Sequence, residues 1–247
     1  MLKYLTEVGS ETALLTSPNS TLTTQTYTAS TEQPSTSSTS SKAFDGQLTG
    51  QDSNTWKSSV GTYSSGDYQG SEVTQGYSGE WIQVNMGNPT VTGISTKVKS
   101  VTIKPQQNTA TSIIDTHPSN FKLFASNDAS SWSEIASITD LSRDTWYSSS
   151  FNNYTVTLSS PEQYQYWRLV VSKIVDGSQV SIGELDFNGS IVTNNAFTYT
   201  DSNKLEIAYR KNNDATKNLT ALIGGGKINE FIYLSLIHIS EPTRRRG

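Results

Sequence analysis

Cysteine is absent from this chain of 247 residues. That excludes a disulfide framework, a thiolate nucleophile and thiolate metal sites, so the core has to come from apolar burial alone. Long apolar runs are also missing. No stretch approaches the roughly 18 residues of a membrane span, and Met1 to Ser10 lacks the basic, apolar, small-residue order of a signal peptide. Charge is sparse, with only 16% Asp, Glu, Lys and Arg and a formal charge of -4. Scattered Lys and Arg in a slightly acidic chain argue against a nucleic-acid groove, which works by neutralising phosphates. Chemical signatures are missing too: there is no GxSxG elbow, no HExxH and no phosphate loop. Nothing nominates a carboxylate pair for hydrolysis. The sequence therefore reads as non-enzymatic.

What is present is Ser and Thr, 70 residues together, with 10% aromatics. Such a mixture is poor in helix formers and suits strands and turns, so the expectation is all-β. Ile82, Val84 and Met86 alternate with Gln83 and Asn85; Phe121, Leu123 and Ala125 alternate with Lys122, Phe124 and Ser126. Each is a half-buried strand of period two. Val101 with Ile103, Val156 with Leu158, and Leu185 with Phe187 repeat the pattern more briefly. Tyr166 to Val171, YWRLVV, is an apolar run broken only by Arg168, as expected of a central strand covered on both faces. Turn signals at Gly87-Asn88-Pro89, His117-Pro118 and Asp176-Gly177 separate these runs. A β-sandwich of about eight strands follows.

Four segments are expected. Residues 1–23 form a lead-in, 24–189 the sandwich, 190–233 the start of a second, truncated domain, and 234–247 a foreign tail. The tail rests on Leu234 to Arg244, LSLIHISEPTR, which resembles the in-frame translation of a sequencing-library adapter. The reading frame runs out there, so the natural polypeptide is expected to continue.

Six segments, in order, carry a family resemblance: AFDG (Ala43 to Gly46), TWKSS (Thr55 to Ser59), GEWIQVNMG (Gly79 to Gly87), FKLFASNDASSW (Phe121 to Trp132), YWRLVV and SIGELDFNG (Ser181 to Gly189). The series resembles the discoidin, or coagulation-factor type C, family, which includes galactose-binding-like carbohydrate-binding modules. The resemblance implies an eight-stranded jelly-roll whose loops at one end bind glycans or, in some animal members, phospholipid head groups or protein ligands. It also implies a structural Ca²⁺ held by Asp45 and Glu184, with Asp52, Asn54 and Thr55 completing an oxygen shell of six to eight ligands. Nine residues separate Asp45 from Thr55 here, a longer loop than the metal-binding pattern has. The alternative is an Asp45 turn bond and a Glu184 pair with a cation such as Lys42.

For the ligand, Trp56, Trp81, Trp132 and Trp167 fall at strand positions and are expected in the core. Trp146 and Tyr147 sit in the polar segment Thr139 to Asn153 beside Arg143 and Asp144, which offer a donor and an acceptor to sugar hydroxyls. The loop Val60 to Ser78 places Tyr63, Tyr68 and Tyr77 among Gly and Ser, either as a recognition loop or as an ordinary insertion. His117 reads as a turn residue or a ligand contact. In the hairpin Ser126-Asn127-Asp128-Ala129 alanine replaces the family's glycine, so positive φ is expected to shift to Asn127 or Asp128. The expected function is a non-catalytic module that binds cell-surface glycans. Two other contexts are a receptor-binding part of a bacteriophage tail and the accessory module of a glycoside hydrolase. The expected location is extracellular or on a virion surface, with the remainder of a longer polypeptide or a tail assembly as partner.

Overall fold

A computed structural model describes residues 3–13, 25–36, 38–48, 54–87, 94–110, 114–196, 198–201 and 204–206. The first elements are β1 (Lys3–Ala13), in the lead-in, and β2 (Thr26–Ala29), followed by a 3-10 turn, α1 (Ser40–Phe44). Short strands β3 (Trp56–Lys57), β4 (Tyr63–Ser64), β5 (Asp67–Tyr68), β6 (Val73–Thr74) and β7 (Tyr77–Ser78) precede β8 (Glu80–Asn85) and β9 (Ile94–Lys104). Then come β10 (Pro118–Ser126), β11 (Ser133–Ile138), a single helical turn α2 (Arg143–Trp146), β12 (Tyr154–Glu162) and β13 (Tyr166–Ile174). The last are β14 (Ser181–Ile182), β15 (Glu184–Ala196), β16 (Thr198–Asp201) and β17 (Lys204–Glu206).

The chain divides into two compact units. The larger spans Leu5–Asn194 and is an all-β sandwich. One sheet runs β1-β15-β9-β12; the other runs β11-β10-β13-β8-β2, with the β4-β5 hairpin attached to β13. The second unit is described by the β16-β17 hairpin, in which Thr198 faces Glu206. The tail expected to be foreign, 234–247, lies outside the described residues, and so does most of 190–233.

Alternation along the strands makes the core. Ile82 and Val84 of β8, Phe121, Leu123 and Ala125 of β10, and Trp167, Leu169 and Val171 of β13 point inward from one sheet. Val101, Ile103, Val156, Leu185 and Phe187 meet them from the other. Trp167 packs edge-on against Phe187, with ring centroids 5.8 Å apart. Burying such a side chain contributes roughly 1.5 to 3 kcal/mol, which is how a chain without cross-links holds two sheets together. Where β15 shifts register at Gly189, a Cβ would run into the Lys97 carbonyl, so only glycine fits.

Two of the five tryptophans correct the core expectation. Trp56 and Trp167 are fully buried, but Trp81 and Trp132 are only partly buried, against the outer face. Trp81 alternates with Ile82 and therefore points away from the core. Arg168, from β13, lies between the two rings, its guanidinium carbon 4.0 Å from the Trp81 centroid and 4.1 Å from that of Trp132. Its Nε and Nη2 donate to Gln83 Oε1, and Nη1 donates to Thr74 Oγ1 at 2.9 Å. Burial lowers the Arg168 pKa to about 10, so it stays cationic at neutral pH.

The hairpin turn is a second correction. Ala129 itself has φ 57°, and positive φ has not moved to Asn127 or Asp128. Polar bonds hold it there: Ser126 Oγ accepts the Asp128 and Ala129 N–H groups, and Asp128 Oδ1 accepts those of Ser130 and Ser131. The Ser131 and Ser130 donors keep the Asp128 carboxyl well below the usual carboxylate range. The left-handed conformation still costs alanine about 1 kcal/mol. Ala129→Gly should therefore raise stability by about 0.5 to 1 kcal/mol, read as a melting temperature higher by roughly 1 to 4 °C. A lower melting temperature would contradict the turn assignment.

Candidate functional site

Several loops meet at one end of the sandwich. The Gly61 and Tyr63 N–H groups donate to Ser178 O, Val175 N–H donates to His117 O, and Asp176 N–H donates to Asp115 O. The helical turn α2 joins them through Arg143, whose Nε donates to Asp115 Oδ1 at 2.8 Å while Nη2 reaches Asp115 Oδ2. The pair is bidentate, with Arg143 40% and Asp115 13% exposed. Among the described residues Arg143 makes no other side-chain bond, which leaves Nη1 and one Nη2 hydrogen for an outside acceptor. Asp144 is exposed on the same turn. Tyr147 closes that turn through its N–H to Arg143 O and packs on Phe151, with ring centroids 4.9 Å apart. Both rings are only partly buried.

Beneath this surface lie two residues expected to touch ligand, and the structure places them otherwise. Trp146 is 0% exposed, its Nε1 donating to Pro118 O at 2.9 Å and its ring packed on Tyr154 and His117. Arg143 and Trp146, three residues apart on one turn, face the same segment, the arginine at its surface on Asp115 and the tryptophan sealed beneath on Pro118, so Trp146 offers no face to a sugar. His117 is likewise sealed. Its Nε2 accepts the Gln106 N–H at 3.0 Å, so Nδ1 carries the proton and donates to Ile114 O at 2.6 Å. Both therefore support the Arg143 surface from below. Asp115 and Phe151 are the members that sequence reasoning missed. Asp115 lies 28 residues from Arg143, and no local pattern links them.

The tyrosine loop is stitched to the sheet. Tyr63 is buried and donates to Val171 O at 2.7 Å, which removes it from any ligand surface. Burial pushes its pKa well up. Tyr68 lies 3.4 Å from Glu80 Oε1 and accepts the Glu72 N–H, and its pKa is pushed up to about 12, first by burial. Tyr77 bonds Ser172 Oγ at 2.5 Å beneath Lys122, whose Nζ is 4.8 Å from the ring. Tyr77 and Thr74 thus tie the insertion to the outer face of the second sheet, while Tyr63 and Tyr68 anchor it at the core.

The structure brings Asp45 and Glu184 together. The Gln47 N–H donates to Asp45 Oδ1 at 3.0 Å and to Glu184 Oε1 at 2.9 Å. Lys42 pairs with Asp45 at 3.3 Å rather than with Glu184. Glu184 is 1% exposed and its Oε2 has no partner. Burial first, then the nearby Asp45 and Asp186 carboxyls, push the Glu184 pKa far above the usual carboxylate range. Two converging hard oxygen donors, one of them an orphan, fit a cation such as Ca²⁺. Among the described residues no third His, Asp or Glu completes the group. Thr55 is buried, Asn54 donates its amide to Gln47 Oε1, and Asp52 lies outside the described residues.

No protein-family model matches the chain, and no curated protein matches it. Among solved structures it is similar to a family 32 carbohydrate-binding module from C. perfringens NanJ, solved with galactose. That likeness has 21% identity and TM-score 0.49, covering 72% of this chain and 99% of that one. It is also similar to chitosan-binding module 1 of a Paenibacillus sp. IK-5 chitosanase/glucanase, with 19% identity and TM-score 0.47, covering 72% of this chain and 99% of that one. A striped bass fucolectin is 10% identical at TM-score 0.45, covering 67% of this chain and 46% of that one.

The sealed histidine makes stability depend on pH. Burial lowers the His117 pKa to about 4, from 6.5. Between those values the unfolded chain binds a proton that the folded chain refuses, so stability is full above pH 6.5 and falls with pH down to about 4. The loss amounts to about 3 kcal/mol. Denaturant titrations should show this slope in the wild type and a flatter one in His117→Gln; equal slopes would contradict the neutral, buried assignment.

Proposed function

We propose that this chain is a non-catalytic carbohydrate-binding module whose site is the loop end built on Arg143, Asp115, Tyr147 and Phe151. One observation carries the reading: a single helical turn, anchored by a sealed Trp146, carries both a half-exposed Arg143 paired bidentately with Asp115 and Tyr147, whose partly exposed ring packs on Phe151. A sugar presents hydroxyls at its rim and C–H groups on its faces, so it asks for a donor, an acceptor and a ring. The order of the discoidin-like motifs supports the same reading. Chemistry is disfavoured because the one described histidine is sealed and bonded on both nitrogens. As a module it would attach a longer polypeptide, or a tail assembly, to cell-surface glycans, working outside the cell or on a virion surface.

We further propose that Asp45 and Glu184 hold a structural Ca²⁺. Bound there, the ion would supply positive charge to two carboxyl groups held close together by the Gln47 N–H.

One shallow site of this kind should bind a monosaccharide with Kd roughly 0.1 to 1 mM, about -4 to -5.5 kcal/mol. Tyr147→Ala should weaken binding roughly tenfold with the melting temperature nearly unchanged, whereas Trp146→Ala should cost about 3 to 5 kcal/mol of stability. Calorimetric titration that finds Tyr147→Ala equal to wild type, with loss on Tyr68→Ala or Tyr77→Ala, would move the site to the insertion. For the ion, added Ca²⁺ at a hundredfold excess over Kd should stabilise the wild type by about 2.7 kcal/mol. Glu184→Gln should lose that gain yet melt higher than wild type in chelator. Identical wild-type melting in calcium and in chelator would refute the ion.

A further inference from the structure

Resting on the glycan reading above, we propose that Asp115 sets the charge selectivity of the site: it turns Arg143 into a reader of neutral and amino sugars and a poor reader of sugar carboxylates. An unpaired surface arginine is the residue best shaped for a carboxylate, which it grips through two parallel N–H groups. Here that grip is already taken. Asp115 holds Nε and Nη2, and it is the more buried partner of the two, so it backs the guanidinium while the arginine faces solvent. An incoming carboxylate would have to share a cation that Asp115 has neutralised. It would also meet Asp144, next to Arg143 in the chain, and Asp176, whose N–H is bonded to Asp115 O at 2.8 Å; both are exposed. Lys173, three residues before Asp176, is engaged with Asp67 at 3.4 Å. A neutral diol adds no charge and accepts from the donors left on Nη1 and Nη2. A protonated amine on the sugar gains from the same acids that repel a carboxylate.

The test is a calorimetric titration of the full chain, at low salt and about pH 6, with two charge series: galactose, galactosamine and galacturonic acid, and glucose, glucosamine and glucuronic acid. At that pH the amines are protonated and the carboxyls ionised. In any series that binds, the acid should bind at least roughly tenfold more weakly than its neutral or amino counterpart. Asp115→Asn should close that gap, chiefly by strengthening the acid. Because Asp115 is partly buried, the exposed double variant Asp144→Asn, Asp176→Asn is measured beside it and should selectively weaken the amino sugar. Equal wild-type affinity for acid and neutral sugar overturns the inference. So does an unchanged ratio in folded Asp115→Asn or, if that variant does not fold, in the double variant. Binding without charge discrimination defeats only this inference, whereas no binding by any of the six sugars defeats the glycan reading beneath it.

Discussion

Strand β13 hydrogen-bonds to β10 on one side and to β8 on the other, and most of the molecule is arranged around the need to cover both of its faces. Inward, Trp167, Leu169 and Val171 bury themselves against the opposite sheet. Outward, Arg168 would leave a cation over an apolar strand, and the chain answers with Trp81 on β8, Trp132 before β11, and Thr74 from the insertion. A desolvated guanidinium stacked between rings keeps its charge at a tolerable cost, since the ring quadrupoles and hydrogen bonds replace water. The insertion is thereby drawn onto the sheet as its cover.

The same logic orders the loop end. Polar groups at the surface are positioned by sealed groups beneath them: His117 and Trp146 fix the turn, and the turn presents Arg143 to Asp115. Rigidity there matters for a weak binder. A site that gains only a few hydrogen bonds exchanged against water cannot also order its own loops on binding.

Much of the sandwich was legible in the sequence: Ile82 and Val84 alternate inward along β8 and β13 is the apolar central run, whereas on β10 Phe124 and Ser126 are buried beside the inward Phe121, Leu123 and Ala125. Trp81 shows where reading the motif went astray. Its parity opposes that of Ile82 and Val84, so alternation turns it outward although it lies within one of the family-like motifs. Trp146 failed for a different reason. A single helical turn is too short to show a period, so a buried ring in a polar stretch looks exposed. The turn at Ala129 was misjudged because side-chain bonds from Ser126 and Asp128 can hold an alanine where glycine is usual. Asp45 and Glu184 were both named from the resemblance and share the Gln47 N–H, whereas Asp115 and Arg143 could be joined only by the fold.

The pairing of distant strands bears on how the chain reaches this state. β2 joins β8 through Thr28 and Gln83, and β9 joins β15 through Val101 and Phe187, partners far apart in sequence. Each pairing closes a long loop before any contact rewards it, so the contact order is high and the transition state is reached slowly, on the millisecond-to-second scale typical of such topologies. During that interval strand edges stand uncovered. On the edge strand β12 the exposed positions include Thr155, Thr157, Ser159 and Ser160, so that edge offers little apolar surface to another chain.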